Sequence, residues 1–181
     1  MEAESDNEQL TVKVGTINIK TYDVDPKIQQ QSGLFNALFQ TSGNEYHFEQ
    51  IEPEEFEKCI EYLEMHNYNP PKIRMPIESR NLEENVCPKD FKFIKDYDVF
   101  EQKEKNKLRK LINAATYLQI QKLVNLCVCR IATEFFFGQD QQDYQMLKQK
   151  LGVEEDITIQ QEKQINKDYP WINTEQKEST K

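Results

Sequence analysis

Apolar and polar positions alternate over Leu10-Thr-Val-Lys-Val14 and again over Ile17-Asn-Ile-Lys-Thr-Tyr22, on either side of Gly15-Thr16. A period of two predicts a pair of strands around a tight turn. The period then lengthens. Pro26 suits a first helical position, and Leu34, Phe35, Leu38 and Phe39 make an apolar helical face. Ser42-Gly43-Asn44 breaks the chain before a short strand candidate at Tyr46 to Phe48. Phe56, Cys59, Ile60 and Leu63 recur at spacings of 3, 4 and 7 behind Pro53, which predicts an amphipathic helix ended by Asn69-Pro70-Pro71.

From 67 to 90 no period holds. Pro70, Pro71, Pro76 and Pro88 punctuate a polar stretch that reads as a long loop. Helical spacing returns with Leu108, Leu111, Ile112 and Ala115. A longer helix follows over 119–137, stopped by Gly138. Ile120, Leu123 and Cys127 make one of its apolar lines, and Val124, Val128, Ile131 and Phe135 make a second. A helix apolar on two sides has to be covered on two sides. Tyr144, Leu147 and Leu151 predict a third helix stopped by Gly152. Thr158 with Gln161 three residues on is the capping-box start of a fourth. These last two helices carry few apolar residues, and Trp171 stands near the end of the second as the chain's one tryptophan. Helices this thin need packing to persist, and Trp171 reads either as the anchor of a binding surface or as a residue that folds back to staple the tail.

Composition narrows the function. The 181 residues carry a formal net charge of -9, so a phosphate backbone is a poor partner. The exception is 101–110, where Lys103, Lys105, Lys107, Arg109 and Lys110 cluster. That segment reads as the solvated face of a helix, with docking of an acidic partner as the sharper alternative. No apolar run approaches the ~20 residues of a membrane span, and the acidic start at Met1 to Gln9 is unlike a secretory signal. Cys59, Cys87, Cys127 and Cys129 form no C-x-x-C pair and read as reduced thiols, with Cys59 and Cys127 as small core residues. His66 reads as a surface or capping residue rather than a ligand. No nucleotide-binding glycine motif, nucleophile elbow or convergent carboxylate pair occurs. The expectations are therefore no enzyme activity, no cofactor, no metal, no nucleic acid, no membrane and no small-molecule substrate.

Leu111-Ile-Asn-Ala-Ala-Thr-Tyr-Leu-Gln-Ile-Gln-Lys-Leu-Val-Asn-Leu-Cys127 closely resembles the core of the S-phase kinase-associated adaptor family, the substrate-receptor linkers of SCF ubiquitin ligases. Val24-Asp25, Ile28 and Gln31-Ser32 fall where that family has its first-helix pattern, and Leu151-Gly-Val, Asp156-Ile-Thr158 and Ile165 to Trp171 match its C-terminal end. The resemblance spans roughly residues 10–175. It implies an α+β, BTB/POZ-type domain over 10–137 behind a disordered tail, 1–9. An F-box-binding helical extension over 138–173 and a frayed tail over 174–181 would complete the chain. It also implies a cytoplasmic or nuclear adaptor joining an F-box-type protein to a cullin. The alternative is a structural subunit using the same surface without a cullin. By position the F-box face would comprise Val124, Val128, Ile131, Phe135, Leu151, Val153, Ile165 and Trp171, and the cullin face Thr116 and Tyr117. Thr116 stands where the family usually has asparagine, and 139–145 lacks its threonine-proline-glutamate stretch. Both departures suit a diverged paralogue with weakened cullin binding.

Overall fold

A computed structural model of the chain describes residues 10–41, 43, 45–136, 141–152 and 158–169. It divides into two compact units, 1–136 and 137–181. The first is a mixed α+β unit. Strand β1, Leu10–Val14, buries Leu10, Val12 and Val14 and turns Lys13 outward, as its alternation predicts. It is the central strand of three. It pairs antiparallel with β2, Lys20–Val24, in the register Leu10 to Val24, and parallel with β3, Glu45–Phe48, in the register Val14 to Phe48.

The connection from β1 to β2 is wider than the sequence predicts. The second strand begins at Lys20 rather than Ile17, and Ile17 and Ile19 are exposed. Gly15 is the cause. Its N–H donates to Phe48 O at 3.0 Å, and it holds φ at +107°, where a Cβ would lie 2.9 Å from Asn18 O.

The predicted helix from Pro26 to Phe39 is two pieces. A 3-10 turn, Pro26–Gln30, is capped by Asp25, and helix α1, Gly33–Leu38, is capped by Ser32. Helix α2, Pro53–Met65, starts on Pro53 with Glu54 and Glu55 in its first turn, where acids meet the positive end of the helix dipole. It buries Phe56, Cys59, Tyr62 and Leu63. It ends at His66, short of the predicted prolines, because Asn67 and Tyr68 turn left-handed at φ 50° and 58°.

The stretch 67–90 is not wholly loop. Helix α3, Leu82–Asn85, is capped by the Asn81 side chain, and helix α4, Pro88–Ile94, by Cys87. Pro88 reads as a breaker in the sequence, yet it occupies the first helical position, where its missing N–H costs nothing. Tertiary burial of Ile73, Leu82 and Ile94 supplies what the weak local pattern lacks.

Helix α5, Gln102–Tyr117, packs on α2 and on helix α6, Gln121–Glu134. The single helix predicted over 119–137 is thus shorter at both ends. Gln119, at φ 57°, forms the corner between α5 and α6. Leu108, Leu111, Ala114, Ala115, Leu118, Ile120, Leu123 and Leu126 join the strands and α2 in one core. In the second unit, helix α7, Gln141–Leu151, is followed by Gly152 at φ 63°, and helix α8, Ile159–Asp168, starts on the predicted Thr158/Gln161 capping box. Among the described residues no helix is long and apolar enough to cross a membrane.

Candidate functional site

Helix α6 has two unlike apolar lines. Leu123, Leu126, Cys127 and Cys129 are fully buried, and burial pushes the Cys127 thiol up to about 12. On the other line Val124 and Ile131 are half-buried and pack against the core, whereas Val128 remains 44% exposed and Phe135 38%. Phe135 leans on Phe100 with ring centroids 6.0 Å apart. Arg130 and Glu134 flank this line and pair along the helix at 2.7 Å. The result is a strip in which Val124 and Ile131 reach into the core while Val128 and Phe135 face solvent.

The residues assigned to the F-box face by resemblance fall in both units. Val124, Val128, Ile131 and Phe135 lie together on α6. Leu151 ends α7 with 47% exposure, and Ile165 lies half-buried in α8. Val153 and Trp171 lie outside the described residues.

Thr116 and Tyr117 sit in the last turn of α5. Thr116 is exposed. Tyr117 is half-buried, and its ring meets Phe48 edge-on at 5.8 Å. This pair is placed by the corner that follows it. Ser32, 1% exposed, accepts from Phe35 N–H at 3.2 Å and donates its hydroxyl proton to Leu118 O. Gly33 N–H donates to Gln119 O at 3.3 Å. The start of α1 is thereby tied to the turn that sets the direction of α6.

The basic segment of α5 meets acids of its own unit. Lys107 pairs with Glu104 at 2.8 Å, and Lys110 with Glu55 at 3.3 Å. This matches the solvated-face expectation, and exposed pairs of this kind contribute little stability.

His66 takes the capping role of its two expected ones, not the surface one. Its side chain is buried at 6% exposure, with Nε2 2.7 Å from Oδ1 of the fully buried Asp90. Cys87 also reaches Asp90. These three are the metal-capable group found among the described residues. Separations of 21 and 24 residues hide them from any local motif search.

No protein-family model matches the chain. An S-phase kinase-associated protein 1 homolog from Tetrahymena thermophila is 30% identical over 163 residues, covering 88% of this chain and 92% of that protein.

Proposed function

The chain belongs to the S-phase kinase-associated protein 1 family, and from that premise we propose that it is a non-enzymatic adaptor holding an F-box-type protein against a cullin in an SCF-type ubiquitin ligase. The single observation that carries the reading is the second apolar line of α6, where Val128 and Phe135 stay exposed beside a core that is complete without them. Buried apolar area is the usual driving force of such docking, and exposed apolar strips mark partner sites. In this reading 10–137 is a POZ-type domain, with the order β2-β1-β3 covered by helices, and 138–173 is the extension that completes the F-box grip. Leu151, Val153, Ile165 and Trp171 would be the extension's own contacts with the same partner. Thr116 and Tyr117 would form the cullin contact.

Val128→Asp tests the F-box face. Desolvating a carboxylate at the centre of an apolar interface costs at least ~2 kcal/mol, which weakens binding by roughly 30-fold. Titration of the full chain with a purified F-box segment reads this out, with circular dichroism as the fold control. A folded Val128→Asp variant that binds like the wild type refutes the assignment.

The cullin-free assembly is the second reading, and Thr116 favours it. Threonine offers one hydroxyl where the family's asparagine offers a carbonyl and an amino group, so fewer hydrogen bonds can reach a cullin. Quantitative binding to a purified cullin N-terminal segment separates the two readings.

A further inference from the structure

Helix α2 ends and helix α4 begins on the same three side chains. His66 is the C-cap of α2, Cys87 the N-cap of α4, and Asp90 the third residue of α4. His66 Nε2 lies 2.7 Å from Asp90 Oδ1. The Cys87 thiol donates to Asp90 Oδ2 at 3.2 Å, and the Asp90 N–H donates back to Cys87 Sγ at 3.5 Å. One ligand atom from each residue falls within 4.8 Å of the other two. Imidazole, thiol and carboxylate are the three side-chain donors that zinc takes, and a three-residue set leaves its fourth tetrahedral position for water.

A second observation points to the same place. Tyr62 is fully buried, and its hydroxyl has no hydrogen-bond partner among the described residues. Its ring meets His66 edge-on at 5.2 Å. A buried hydroxyl without a partner is uncommon in a folded protein. A water bound to a metal at the triad would supply one.

Access exists from one side. Cys87 and Asp90 line a cleft of about 510 Å³ together with Ile73, Arg74, Ser79 and Val86.

We propose that His66, Cys87 and Asp90 bind one Zn²⁺ ion at the α2–α4 junction. Imidazole Nε2, the Cys87 thiolate and one Asp90 oxygen are the ligands, and a water beside Tyr62 is the fourth. Binding releases the Cys87 proton to solvent, because only the thiolate ligates. Zinc bonds of about 2.0–2.3 Å in a tetrahedron set ligand atoms roughly 3.3–3.6 Å apart. With Asp90 Oδ1 as the ligand oxygen, its contact with His66 therefore opens by a little over half an ångström, while ligand atoms that now lie up to 4.8 Å apart close by about an ångström. The site pins α4 to α2, and it stands independently of the adaptor reading.

The test uses the untagged full chain, stripped with a chelator and titrated with Co²⁺. Expected are a thiolate-to-cobalt charge-transfer band and the intense visible absorption of tetrahedral cobalt, both displaced by one equivalent of Zn²⁺. Cys87→Ser should abolish the charge-transfer band, and His66→Gln should lower retained zinc at least tenfold in elemental analysis after gel filtration. An absent band in the wild-type chain, or one that survives Cys87→Ser, overturns the site and leaves the triad as a helix cap only. If either variant unfolds, the wild type decides alone. Zn²⁺ should slow alkylation of its native-state reactive thiol at least tenfold, and an unchanged rate overturns the proposal.

Discussion

Ser32→Ala probes the corner on which both candidate faces depend. The hydroxyl serves two backbone groups at once in a site that is 1% exposed. Its oxygen caps the Phe35 N–H, and loss of such a cap costs about 1 kcal/mol. Its proton goes to Leu118 O at the end of α5, and a buried carbonyl deprived of its donor costs about 1–3 kcal/mol. Alanine can replace neither. The sum is about 2–4 kcal/mol, or a fall in Tm of roughly 5–15 °C for a chain of this length. Thr41 is the control. Its hydroxyl also donates to a backbone carbonyl, Leu38 O at 2.7 Å, but in an exposed setting where water substitutes. Thr41→Ala should stay within about 0.5 kcal/mol. Urea unfolding followed by circular dichroism gives both values. A loss in Ser32→Ala no larger than that in Thr41→Ala would refute the idea that this hydroxyl holds the α1 and α5–α6 segments together.

Further outcomes follow from the same structure. Ile131→Asp should destabilise the first unit by about 2–3 kcal/mol in urea, because Ile131 packs on the core, whereas Val128→Asp should change stability by no more than about 0.5 kcal/mol. Thr116→Asn should tighten binding to a cullin segment severalfold in calorimetric titration, with no change of Tm, since Thr116 is exposed. In the native chain freed of metal, one of the four thiols should react readily with a small disulfide reagent, and all four after denaturation. Cys59, Cys127 and Cys129 are fully buried with raised pKa values, and Cys87 is half-buried. Tyr68 and Tyr97 are held neutral, each pushed up to about 12, first by burial. The fold then retains protons that the unfolded chain loses above its ordinary tyrosine pKa of about 10. Stability from these two groups is complete below pH ~10 and falls as pH rises toward 12. Alkaline absorbance titration of the folded wild type against Tyr68→Phe and Tyr97→Phe isolates the two groups among eight tyrosines, and a tyrosinate signal lost near pH 10 in either variant would count against it.

Periodicity alone determined the strand at Leu10–Val14, the helix at Pro53, the cap at Thr158 and the two-sided character of 121–134, since each depends on spacing or on a side chain bonding its own backbone. The family was legible for a related reason, because Leu111 to Cys127 is one continuous run. Tertiary structure decided where contacts join distant segments. It placed Pro88 at a helix start, where burial of Ile94 and the Cys87–Asp90 cap outweigh a weak local pattern. It split the helix after Pro26, because Ser32 is claimed by Leu118, 86 residues away. It separated Val128 from Ile131, three residues apart on one line, by burying one against the core and leaving the other to solvent. It gathered His66, Cys87 and Asp90 at one point. Local spacing encodes which face a side chain takes on its own element, and only the packing of elements decides what that face meets.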